Sequence, residues 1–186
     1  TLDKARVKDV ARGFNSEPWK VQVKGLVNNP KTYDIDDLVR KFPLEERLYR
    51  FRCVETWAMA VPWTGFPISH LIKEVDPKPE AKFMRMVTVN RPAEMPGIES
   101  QPHYPWPYFE ALEIKEAMNE MALFVTGIYG KPLPPQNGAP IRLITPWKYG
   151  LKSIKSIVEI EFTSKRPRTL WNDIGGAEYG WYSNVN

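Results

Sequence analysis

Trp19, Val21 and Val23 alternate with Lys20, Gln22 and Lys24, a period of two that predicts a half-buried strand. Asn28-Asn29-Pro30 marks a turn. Asp34 is then placed to cap a short helix through about Lys41, with Ile35, Leu38, Val39 and Phe42 at helical spacing and Pro43 as the stop. Residues 47–54 alternate again, Leu48 opposed to Tyr49 and Phe51 to Arg52, and predict a strand ending near Cys53. The Trp- and Pro-bearing stretch Glu55 to Pro67 reads as a loop, Ile68 to Val75 as a short helix, and Lys82 to Val89 as a strand with Thr88 near its far end.

Further along, 90–110 reads as loop, Ile114 to Met118 as a helical turn, and Met121 to Thr126 as an apolar strand. Gly130 to Pro140 is a loop before a strand at Ile141 to Ile144, and 146–155 is a second loop. Ser156 to Phe162 sets Ile157, Ile160 and Phe162 against Glu159 and Glu161, the pattern of an exposed edge strand. Residues 1–17 and the tail from Thr163 read as irregular. Strands outnumber short helices, so the predicted class is α+β with β-rich mixed sheets. No repeat or linker divides the chain, and residues 1–186 are expected to form a single domain.

Composition adds little to the fold and more to the function. The 186 residues can bury about 70% of the surface the unfolded chain exposes. Ten of the eighteen prolines gather in 92–107 and 132–146, which suits ordered loops on a β scaffold. A net charge of +4, without a long basic run, argues against nucleic acid as a partner and leaves room for an anionic ligand held by a few Lys and Arg. No apolar run approaches the ~20 residues of a membrane helix. The chain starts without Met and carries no leader pattern, which suggests a processed or truncated form.

Cys53 is the single cysteine, so no intrachain disulfide exists. It sits at a predicted strand end, with Arg50 and Arg52 upstream to stabilise a thiolate and Glu55 two residues on. A thiolate is the soft ligand a redox metal prefers. Zinc is disfavoured, because His70 and His103 lie far from Cys53 in sequence and no second cysteine exists. A metal here would draw most of its coordination from a cofactor, such as a pterin dithiolene.

In 131–142, Asn137-Gly138 is a turn inside a proline cage. Asn137 can hydrogen-bond a heterocycle, and Arg142 can offer its planar fork to a phosphate. In 147–155, Lys148, Lys152 and Lys155 surround Gly150 as an anion cradle would. No G-x-S-x-G, Walker loop or Rossmann fingerprint is present. Left open at this level are a binding module without a cofactor and a cysteine nucleophile served by a histidine.

The segments FPLEERLYRFRCVETWAMAVPWTGFP (42–67), MPG (95–97), YGKPLPPQNGAPIRLITPWKYGLKSIKSIV (129–158) and YSNVN (182–186) resemble the family of periplasmic protein-methionine-sulfoxide reductases. These are molybdopterin-bearing catalytic subunits of the sulfite-oxidase fold. The resemblance implies a molybdenum bound by one molybdopterin and by Cys53. It implies cofactor contacts at Thr88, Asn137 and Arg142, with Ser153, Ile154 and Lys155 at the phosphate end, and Glu55 as a proton donor near the metal.

It further implies a periplasmic location, oxidised envelope proteins as substrates and a haem-containing membrane subunit as electron donor. Sulfite oxidases hold their cysteine in an Asn-Arg-rich context that CVETWAM lacks, which argues against sulfite. Another S- or N-oxide substrate stays open. Family chains normally extend beyond both Thr1 and Asn186, so both ends are expected to be truncated here.

Overall fold

The computed structural model describes residues 7–185. Its chain order is α1 (Val7–Ala11), β1 (Lys20–Gly25), β2 (Lys31–Asp34), α2 (Ile35–Lys41), β3 (Glu45–Arg52), β4 (Ala58–Pro67), α3 (Ile68–Val75) and β5 (Phe83–Thr88). There follow α4 (Pro96–Ser100), β6 (Phe109–Glu113), α5 (Ile114–Ala117), β7 (Leu123–Ile128), β8 (Lys131–Pro132), β9 (Arg142–Ile144), β10 (Ile157–Thr163) and α6 (Leu170–Gly175). The strands form two five-stranded sheets: β2-β1-β10-β5-β6, and β3-β4-β7-β8 with β9 also on β7. Every pairing is antiparallel except β1 with β10, which run parallel from Gln22↔Glu159 to Gly25↔Phe162. The expected class, α+β with β-rich sheets and short helices, is the one observed.

The alternation of β1 decides which face is buried. Val21 and Val23 point into the larger core beside Met84, Met86, Leu112, Ile157, Ile160 and Phe162. The opposite side of that core comes from α2 (Ile35, Leu38), α3 (Ile68, Leu71, Ile72, Val75) and the second sheet's Phe66 and Phe124, which meet edge-on at 6.0 Å. Each such side chain, fully removed from water, contributes roughly 1.5–3 kcal/mol. A smaller core of Val61, Trp63, Leu123, Val125, Leu133, Ala139 and Ile144 lies on the second sheet. α2 carries Asp36 and Asp37 in its first turn and Arg40 and Lys41 in its last, matching the helix dipole. Asp34 does occupy its N-cap position, but its side chain makes no capping hydrogen bond.

Several expectations are corrected. Most of the expected loop 55–67 is β4, whose Val61, Trp63 and Phe66 are buried. Pro62 is tolerated because its carbonyl faces the end of β7, where it accepts from Tyr129 N–H as that chain turns away. Gly65 sits at an irregularity in the β4–β7 ladder, where an added Cβ would lie 2.1 Å from the Phe124 carbonyl oxygen. β10 is the centre of its sheet rather than an exposed edge. Glu159 pairs with Lys24 of β1 at 2.8 Å and Arg85 of β5 at 3.5 Å, so the charges that look solvated are bridged across strands. The expected loop 90–110 contains a 3₁₀ turn at Pro92–Glu94, α4 and the start of β6. The expected irregular stretches 1–17 and 163 onward contain α1 and α6, while the loops 130–140 and 146–155 contain 3₁₀ turns at Pro135–Asn137 and Gly150–Lys152.

Candidate active site

β3 delivers Cys53 to the floor of a cavity of about 470 Å³. Its last inward residue, Phe51, is held among Trp57 (6.3 Å between ring centroids), Trp63 (5.9 Å) and the Arg142 guanidinium (5.5 Å). Cys53 then starts a tight turn. Its N–H donates to the Trp57 carbonyl at 2.9 Å, its own carbonyl accepts from Thr56 N–H, and Thr56 takes a positive φ of 72°. Gly150 presses against this strand end: a Cβ there would lie 2.6 Å from Phe51 Cζ. Loop 147–155 thus reaches Cys53 through a contact only glycine permits.

Of the eight residues singled out in the sequence, six line this one cavity: Cys53, Glu55, Thr88, Ser153, Ile154 and Lys155. Thr88 Oγ donates to the Lys155 carbonyl at 2.8 Å, and Val89 N–H donates to the Ser156 carbonyl at 3.0 Å, so the end of β5 clamps the loop. Lys155 Nζ donates to the Gln136 carbonyl at 2.8 Å. The surrounding walls, and then the charge of Arg142, push its ammonium down to about 8. Gly138, at φ 102°, leaves room for Lys155 Cβ, which would sit 2.8 Å from a Cβ on the glycine.

Asn137 and Arg142 do not line the cavity. Arg142 is buried behind it and donates to the Asn137 carbonyl at 2.8 Å and the Ser153 carbonyl at 3.1 Å, while its plane lies 5.0 Å over Trp63. Burial pushes its guanidinium down to about 9. Its fork is engaged by carbonyls of the two loops, so it braces them rather than presenting itself to a phosphate.

The expected cradle of three lysines is reduced to one. Lys148 turns inward to Glu116, the Tyr182 carbonyl and Asn184 Oδ1. Lys152 turns inward to Glu110 at 2.5 Å, with both side chains 1% exposed. Only Lys155 faces the cavity. Neither histidine lines it, since His70 packs near Phe42 and His103 against Tyr104, which removes the support for a cysteine–histidine pair.

Sequence reasoning missed the far wall, made by Trp106, Tyr108, Trp171 and Tyr179. Tyr108 hydroxyl donates to the Leu151 carbonyl at 2.5 Å, and burial holds its phenol well above the ordinary value. A neighbouring, mostly apolar groove of about 410 Å³ shares Thr88, Met95, Trp106 and Lys155 with the cavity.

Comparisons with known proteins fit this geometry. Two curated relatives named protein-methionine-sulfoxide reductase catalytic subunit MsrP, from Burkholderia mallei and Ralstonia nicotianae, are 53% and 50% identical over 184 residues. Each alignment covers 99% of this chain and 55% of the relative, so the chain spans about half the length of the curated relatives it matches. The crystal structure of the sulfane dehydrogenase SoxCD from Paracoccus pantotrophus superposes with a TM-score of 0.68 at 18% identity, over 82% of this chain and 40% of that one, so the two share a fold. The model of the oxidoreductase molybdopterin binding domain matches residues 7–171, which take in the Cys53 turn, the Thr88 clamp and both loops, and to that family the chain belongs.

Proposed function

We propose that this chain holds a molybdenum–molybdopterin centre through Cys53 and reduces methionine sulfoxide residues of oxidised envelope proteins to methionine. On this reading it works in the periplasm, as a catalytic subunit fed with electrons by a haem-containing membrane partner. The 50–53% identity to relatives named for this activity supports the reading. The observation that carries it is a lone cysteine on the floor of a cavity whose other walls are built from the Thr88 and Ser153–Lys155 segments.

The residues fit such a group. Among the described residues no cluster of three or more His, Cys, Asp or Glu could hold a metal ion unaided, so a metal at Cys53 needs ligands from a cofactor. Ser153 Oγ is buried on the cavity wall with no protein partner, a vacant hydrogen-bonding atom that a pterin or phosphate oxygen would satisfy. The Lys155 ammonium is the cation in reach of an anionic tail.

Reduction breaks the sulfur–oxygen bond, takes up two electrons and two protons, and releases a thioether and water. The bound cofactor supplies the two-electron chemistry. Cys53 anchors and orients it. Thr88, Ser153, Ile154 and Lys155 hold its length, with Asn137 and Arg142 bracing those loops from behind. Glu55, on the same cavity wall as Cys53, delivers a proton to the departing oxygen. Tyr108 and Ile154 keep bulk water from that wall.

The test is Cys53→Ser in a host that makes molybdopterin. Molybdenum per chain is expected to fall from near one to near zero and sulfoxide reduction to vanish. Unfolding stability of the two cofactor-free chains should differ by less than about 1 kcal/mol, since the thiol is only half-buried. A variant that keeps its metal and turnover refutes the ligand role. A wild-type protein without metal points to a binding module instead.

A further inference from the structure

α6 carries Trp171, and its ring centroid lies 4.9 Å from Tyr179, with Tyr104 at 6.4 Å on the other side. Tyr104 in turn meets Trp106 edge-on at 5.7 Å. Yet Trp171 and Tyr179 are not core residues; both remain half-exposed and line the cavity that holds Cys53. Tyr179 lies near Glu55, two residues from Cys53, which puts the aromatic pair at the Cys53 end of the cavity.

Glu55 lines the same end, and partial burial, followed by the nearby Glu178 and Glu55 side chains, raises the Tyr179 phenol above its ordinary value. Aromatic faces are electron-rich and attract polarised sulfur and its methyl hydrogens. A methyl sulfoxide is neutral, with positive sulfur, negative oxygen and an apolar methyl group. A sulfur oxyanion would meet the negative π faces of the two rings.

We propose that Trp171 and Tyr179 form the face on which the substrate's neutral methyl sulfoxide side chain lies, and that this face selects it over anionic sulfur compounds. This rests on the function proposed above. The side chain packs its methyl and methylene groups on the two rings and directs its oxygen toward Cys53. The thioether product keeps the sulfur–ring contact but loses the S–O dipole, so it binds less tightly and leaves.

The test uses the metal-loaded protein and the neutral N-acetylmethionine sulfoxide methylamide, with Trp171→Leu, Tyr179→Leu and Trp171→Phe. Turnover gives KM and kcat, and ligand-observed NMR gives the dissociation constant independently. Each Leu variant is expected to raise KM and the dissociation constant about tenfold at unchanged molybdenum content, and Trp171→Phe to restore most of the loss. Tyr179 lies outside the buried core, so its variant decides the matter if Trp171→Leu proves unstable. Leu variants that bind like wild type overturn the face. Wild-type protein that binds the sulfoxide through these rings without reducing it keeps the face and removes the proposed function. Wild-type turnover with KM unmoved in both variants does the reverse, and no binding at all removes both.

Discussion

Replacing Lys152 by Met should cost about 3–5 kcal/mol of stability, because it strands a carboxylate in the dry interior. Lys152 uses all three of its donors: Glu110 at 2.5 Å, the Ala111 carbonyl at 2.7 Å and the Trp181 carbonyl at 2.8 Å. Its ammonium also lies 4.7 Å from the Trp181 ring centroid. Burial pushes the Glu110 carboxyl up to about 7 even with this cation beside it. Without the cation it moves higher still.

An acid whose folded value exceeds its unfolded one favours the fold at low pH, and loses that contribution as pH rises through the folded value. The loss in Lys152→Met should therefore be larger at pH 9 than at pH 6. Urea unfolding at both pH values measures it, and the melting temperature should fall by about 10 °C. Adding Glu110→Leu removes the stranded charge and should recover all but about 2 kcal/mol, the share of two orphaned carbonyls. A single variant that loses under about 1 kcal/mol, or a double variant no better than the single, refutes this account.

Gly150→Ala should force Phe51 and the Cys53 turn apart, since its Cβ would lie 2.6 Å from Phe51 Cζ. Molybdenum per chain, read by elemental analysis, should drop well below that of wild type. Gly138→Ala combines a φ of 102° with a 2.8 Å approach to Lys155 Cβ and should destabilise by about 1–3 kcal/mol in the same urea assay. Inorganic phosphate should bind the cofactor-free chain with proton uptake above pH 8. The Lys155 ammonium, pushed down to about 8 when free, is restored by an adjacent anion. Calorimetry in buffers of different ionisation heat should show affinity falling above pH 8, by up to about tenfold per pH unit, and Lys155→Gln should abolish that dependence.

The Cys53 strand was legible because Tyr49 and Phe51 alternate cleanly and no proline intervenes. β4 was hidden by Pro62, Gly65 and Pro67, each acceptable only because of where its neighbour strand ends or bulges. Periodicity cannot report such context. Glu159 and Glu161 read as solvated because their partners Lys24 and Arg85 lie on strands remote in sequence. Lys148 and Lys152 misled for the same reason: a buried lysine is rare, and Glu116 and Glu110, which make it possible here, carry no local signal. Six of the eight singled-out residues do share one cavity, because the turn and loop chemistry around them is local. Trp171 and Tyr179 were missed because a pair of aromatics in a polar tail has no period to betray its face.

The parallel register of β1 with β10 governs when this chain can assemble. The central strand of the first sheet comes after the sheet's other four strands in chain order, and before it arrives β1–β2 and β5–β6 are separate two-stranded ribbons, each marginal in water. Loop closure across nearly the whole chain must precede that pairing, which makes for slow, high-contact-order folding. Loop 147–155 immediately precedes β10 and leaves the ribosome just ahead of it. Completion of the sheet thus coincides with arrival of the Ser153–Lys155 wall, and the Trp171 and Tyr179 wall follows it, so any ligand of that cavity meets a formed sheet rather than a nascent one.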